Sequence, residues 1–88
     1  MLHVTEVRVL EGFRLWLRFT DGVEGIADLS AEMDGPMFEP LNNPALFARA
    51  KINDELRTVA WPNGADLAPE FLRGLVEHAV NTEQPSRP

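Results

Sequence analysis

Cysteine is absent from the 88 residues, which removes disulfide bonds, thiolate nucleophiles and cysteine-rich zinc sites together. No apolar run approaches the length of about 18 residues that a membrane-spanning helix needs. The N-terminal stretch Met1-Leu2-His3-Val4-Thr5-Glu6 has neither the basic nor the apolar segment of a secretory leader, so the expected location is cytoplasmic. Phosphate loops of the GxxxxGK or GxGxxG kind are missing, and the glycine turn that precedes a helix, at Gly64, has no lysine or arginine nearby in sequence. That argues against nucleotide transfer and hydride chemistry. His3 and His78 stand at opposite ends of the chain without HxxxH or HExxH spacing, and each is expected at the surface. Nothing like GxSxG surrounds Ser30. The acids Asp28, Glu32, Asp34 and Glu39 lack the DxDxDG order of a calcium loop and fit a solvated acidic loop. No catalytic residue, metal ligand or cofactor is therefore expected.

A chain of this length forms one domain with one modest core, hiding about 60% of the surface that its unfolded form exposes. The apolar share of 44% and charged share of 25% are those of an ordinary globular domain. The net charge of −6 repels a phosphate backbone, so a protein partner or self-association is expected ahead of direct nucleic-acid binding.

The first third has the period of two that marks strands. From Leu2 to Leu10 valines alternate with polar residues, with a slip in parity at Thr5-Glu6 that predicts a bulge or a late start of the strand. After the turn Glu11-Gly12, Phe13, Leu15, Leu17 and Phe19 alternate with Arg14, Trp16, Arg18 and Thr20. Asp21-Gly22 turns the chain into a third strand, Val23 to Asp28. An acidic loop with one short turn around Met37-Phe38 leads to Asn43-Pro44, where an asparagine cap and a proline at the first helical position predict a short helix over 44–50. Lys51 to Asn53 and Arg57 to Trp61 form a second strand pair around the turn Asp54-Glu55-Leu56. Pro69 then opens an amphipathic helix burying Phe71, Leu72, Leu75, Val76 and Ala79, with Arg73 placed to pair with Glu70 and Glu77. The expected fold is α+β: a small, mainly antiparallel sheet, made of a three-stranded meander plus a second strand pair, with a short helix and a C-terminal amphipathic helix. Residues 1–81 make the single domain and 82–88 a flexible tail.

Two places invite a functional reading. Trp61-Pro62-Asn63-Gly64-Ala65-Asp66 joins a strand to a helix. Pro62 ends the ladder, Asn63-Gly64 turns the chain, and the Asp66 carboxylate is placed to accept amides at the mouth of the helix. The motif is expected to be structural, with a small-molecule or catalytic role centred on Asp66 as the alternative. The second place is the other face of the second strand, where Arg14, Trp16 and Arg18 point together beside Arg8, Glu24 and Ile26. Three readings of it compete: a second-layer core covered by a helix or loop, a protein interface, and a stacking platform for single-stranded nucleic acid.

The phrases Leu41-Asn42-Asn43-Pro44-Ala45-Leu46-Phe47 and Asp54 to Leu67, with the WPNGAD block at 61–66, resemble the bacterial family known as domain of unknown function 2442. The resemblance covers nearly the whole chain apart from the tail. It implies a small α+β domain, found alone or ahead of a helix-turn-helix domain, and often encoded beside a short partner in what looks like a toxin and antitoxin pair. No catalytic residue comes with it. Because the chain stops soon after its last helix, a version without the fused helix-turn-helix is expected. Together these readings describe a non-catalytic interaction module, the antitoxin-like member of a two-protein pair, with regulatory nucleic-acid binding as a further alternative.

Overall fold

The computed structural model describes residues 1–83, with side chains described through Glu77 in the last helix. Three antiparallel strands come first: β1 (Val4–Leu10), β2 (Arg14–Phe19) and β3 (Glu24–Asp28). Their order in the sheet is β1-β2-β3. The slip in parity is a real bulge, because the register shifts between Val4, opposite Phe19, and Glu6, opposite Arg18. Beyond it Val7 faces Leu17 and Val9 faces Leu15 on the core side, while Glu6, Arg8 and Leu10 lie on the other.

The two hairpins close differently. At the second, Phe19 and Val23 are joined by a backbone bond of 2.9 Å, Gly22 adopts φ +88°, and the Asp21 carboxylate accepts the Val23 amide. At the first, Gly12 and Phe13 both take positive φ, 75° and 58°. Phe13 therefore belongs to the turn and not to the alternation of β2. The left-handed backbone turns its ring edge-on to Phe47 at 5.2 Å.

The long loop after β3 contains two short 3-10 turns, Ser30–Glu32 and Glu39–Asn42, the second beginning just past the expected turn at Met37-Phe38. The acids Asp28, Asp34 and Glu39 are exposed and Glu32 is half-buried, while Leu29, Met33 and Leu41 are buried in the core. Helix α1 (Pro44–Phe47) starts as its sequence dictates, with Asn43 Oδ1 accepting the Ala45 amide, but it stops three residues short of Ala50. Strands β4 (Lys51–Asn53) and β5 (Thr58–Ala60) then pair around a turn in which Asn53 Oδ1 accepts the amides of Glu55 and Leu56. This pair forms a sheet of its own beside the meander, tied to it by the Val4 amide donating to the Arg57 carbonyl. The β1 bulge breaks the ladder near that junction.

Helix α2 (Pro69–Glu83) covers the core face of the first sheet through Leu72 and Val76, both buried. It runs to Glu83, two residues past Asn81, and residues 84–88 of the expected tail lie outside the described residues. Phe71 departs from the expected apolar stripe and is 41% exposed. Arg73 pairs with Glu77 at 3.6 Å as its spacing leads one to expect, but its other partner is Asp21, at 3.0 Å across from the helix, in place of Glu70. The Val23 amide, and after it the Arg73 guanidinium, hold the Asp21 carboxyl below the ordinary aspartate range.

The approach of α2 depends on a small residue beneath it. A Cβ on Gly25 would lie 2.7 Å from Val76 Cγ1. Gly25→Ala should therefore cost about 1–3 kcal/mol. Its effect should be less than additive with that of Val76→Ala in a double-mutant cycle followed by urea denaturation.

Candidate functional site

The motif at 61–66 is a backbone corner held by side chains. The Trp61 amide donates to the Ala65 carbonyl and the Gly64 amide to the Trp61 carbonyl, with Gly64 at φ +93° where an L side chain is strained. Asn63 serves both sides: its Oδ1 accepts the Ala65 amide and its Nδ2 donates to the Met37 carbonyl, pinning the long loop to the turn. The chain then returns along β5, through a bridge of Asp66 with Ala60 and a bond from the Leu67 amide to the Val59 carbonyl. Buried Thr58 donates its hydroxyl to the Leu67 carbonyl at 2.6 Å. Trp61 itself is 4% exposed, and its indole Nε1–H donates to the Phe47 carbonyl at 3.0 Å.

Asp66 does not cap α2. Its backbone is committed to the bridge with Ala60, and the Ala68 carbonyl accepts the Leu72 amide, so the helix begins at Pro69, three residues beyond Asp66. The side chain is exposed, and no hydrogen bond reaches its carboxylate among the described residues. An apolar groove of about 350 Å³ does open nearby, between the β1–β2 turn and α1, lined by Val9, Leu10, Glu11, Gly12, Phe13, Pro44, Phe47 and Ala48. Among the described residues Asp66 is not in its walls, and Glu11 brings the only ionisable side chain to it. Among the described residues no three His, Asp or Glu side chains are grouped to hold a metal ion.

The outer face of the first sheet is a grid of three rows. Arg8, Trp16 and Ile26 stand side by side across the strands; Glu6, Arg18 and Glu24 form the row on one side, and Leu10, Arg14 and Asp28 the row on the other. Trp16 is half-buried, with the Arg8 guanidinium 5.3 Å and the Arg18 guanidinium 5.6 Å from its ring centre. Arg18 bridges two carboxylates, Glu6 at 3.1 Å and Glu24 at 3.2 Å. Exposed ion pairs of this kind contribute about 0–1 kcal/mol of stability each, so their main effect is to hold the arginines against the ring. Arg14 is not part of the clamp: its Nε donates to the Glu11 carbonyl at 2.9 Å, turning it toward the hairpin end. Arg8 takes its place.

The core reading of Trp16 is therefore set aside. Helix α2 lies on the opposite side, where Gly25 meets Val76, and on the outer face Arg8 is 71%, Arg18 48% and Ile26 39% exposed. The face carries Arg8, Arg14 and Arg18 against Glu6, Glu24 and Asp28, three charges of each sign. The part played by Glu6 was hidden in the sequence by the bulge, which moves it onto the outer row.

Fold and surface define a small α+β domain with one sheet face under a helix and the other open, carrying an arginine-clamped tryptophan. The chain belongs to the DUF2442 family, described as a protein of unknown function, whose model matches residues 4–78. No curated protein matches it. A similar solved structure is that of a putative DNA-binding protein from Nitrosomonas europaea, with a TM-score of 0.80 and 20% identity over 92% of this chain. This chain spans 52% of the length of that protein.

Asn63, and not Asp66, carries the polar bonds of the corner. Asn63→Ala should lower stability by about 1–2 kcal/mol, whereas Asp66→Ala should stay within about 0.5 kcal/mol of the parent, both measured by urea denaturation.

Proposed function

We propose that this domain is a non-catalytic interaction module that binds another protein through the outer face of the β1–β3 sheet, as the antitoxin-like member of a two-protein pair. The observation that supports this best is the Trp16 ring, held between Arg8 and Arg18 on a face that α2 leaves open. Tryptophan and arginine are the residues in which binding energy concentrates, and a clamped ring loses little entropy when it docks.

The name of the Nitrosomonas europaea protein favours a second reading, contact with nucleic acid. Against it stands the charge: the outer face is balanced and the chain carries −6, whereas a backbone-binding surface needs an excess of positive charge. Only 52% of that protein is matched, and its printed name applies to the whole.

Trp16→Ala should weaken assembly with the product of the neighbouring gene, or with a second copy, by more than about 1 kcal/mol while the isolated domain stays folded. Sedimentation of parent and variant, alone and mixed with that product, provides the measurement. A parent that remains monomeric and ignores its neighbour would contradict the interaction module. Loss of binding to short single-stranded oligonucleotides at low salt, without an effect on protein assembly, would favour the nucleic-acid reading.

A further inference from the structure

The two edges of the meander differ. At the β1 edge the Val4 amide is bonded to the Arg57 carbonyl, and the second sheet packs alongside. At the β3 edge the ladder phase is fixed by the Leu29 amide donating to Phe13 and the Phe19 amide donating to Val23. Gly25 and Ala27 thus exchange bonds with β2, the Val23 carbonyl and the Leu29 amide each make one bond at the ends of the ladder, and the amides and carbonyls of Glu24, Ile26 and Asp28 point away from the sheet. Among the described residues these groups have no backbone partner. The β3 register has no bulge to spoil further pairing, and all three side chains are exposed.

The two acids decide what can pair there. A second copy added antiparallel about Ile26 would set Glu24 against Asp28 of the other copy at both ends, and like charges directly opposite are destabilising. Slipping the register by two residues places an acid against Ile26 and shortens the ladder. Glu24 is held by Arg18 at 3.2 Å, and Asp28, whose carboxylate accepts the Ser30 amide, forms no ion pair among the described residues, so the edge strand itself carries two acids and no base. Acids on an edge strand deter self-pairing without deterring a strand of opposite charge.

We propose that the open edge of β3 accepts an extended segment of a partner protein as a fourth strand, with basic residues opposite Glu24 and Asp28 and an apolar residue opposite Ile26. The apolar residue would extend the row Arg8–Trp16–Ile26, and the backbone of the segment would satisfy the outward groups of β3. This deepens the interaction-module reading and rests on it.

The probe is a short synthetic peptide with the core Lys-Thr-Val-Thr-Lys, beside a control in which glutamate replaces both lysines. With the isotope-labelled full chain, the lysine peptide should shift and protect the amides of Glu24, Ile26 and Asp28, and the glutamate peptide should not. Ile26→Pro removes an outward amide that the β2 ladder does not use, so the fold should persist while peptide affinity falls by about tenfold, as for one lost backbone hydrogen bond. Ile26→Val keeps the amide and should bind within about twofold of the parent. No shift at β3, or equal binding of both peptides, overturns the proposal. So does a neighbouring gene product whose binding is lost in Trp16→Ala but unchanged in Ile26→Pro, a result that would leave the interaction-module reading standing.

Discussion

The bond from the Trp61 indole to the Phe47 carbonyl is where the separate parts of this small domain meet. Trp61 follows directly on β5, Phe47 ends α1, and the two rings lie 5.8 Å apart. Phe38 from the long loop packs edge-on to Trp61 at 6.3 Å, and Phe13 from the first hairpin packs edge-on to Phe47. One chain of aromatic rings therefore runs from the meander, through the short helix, to the second sheet and the loop. A buried tryptophan of this kind is worth about 3–5 kcal/mol, against a total stability of about 5–15 kcal/mol for a domain. Its N–H must have an acceptor, and a carbonyl at the end of a four-residue helix supplies one without breaking another bond. Asn63 reinforces the same junction by joining Met37 to the turn.

Much of this was legible in the residues. The period of two placed the meander, the misplaced pair Thr5-Glu6 marked the bulge, and Asn43-Pro44 announced the helix, because each of these signals acts over a few neighbouring residues. What depended on distant contacts was less visible. The Phe13 ring looked like the start of a strand because apolar alternation does not report φ, and the left-handed turn moved it into the aromatic chain. Spacing found the Arg73 pair with Glu77, but the shorter bond, to Asp21 in the second hairpin, lies across from the helix where spacing does not reach. Asp66 had the right chemistry for a cap and the wrong backbone, already engaged with Ala60.

The candidate surface was legible in part for the same reason. Alternation put Arg14, Trp16 and Arg18 on one face, but which arginines hold the ring depends on cross-strand register, and that pairs Arg8 with Trp16 and sends Arg14 to Glu11. The division of labour across the sheet follows from packing. Gly25 admits Val76, so α2 settles on one face and leaves the other to the clamped tryptophan and its ring of charges. Holding the fold together at one corner leaves the far side of the meander free of structural duty, and a neutral, ordered, partly apolar face is suited to a protein partner.

Trp61 fastens the whole domain, and Trp16 does not. Hydrogen exchange of the two indole N–H groups, followed by NMR in the native state, tests it most directly. The Trp61 indole should exchange only through global unfolding, with an opening free energy equal to that from denaturant titration, and the Trp16 indole should exchange far faster. Exchange of the Trp61 indole well below the global free energy, or at the rate of Trp16, would contradict the account.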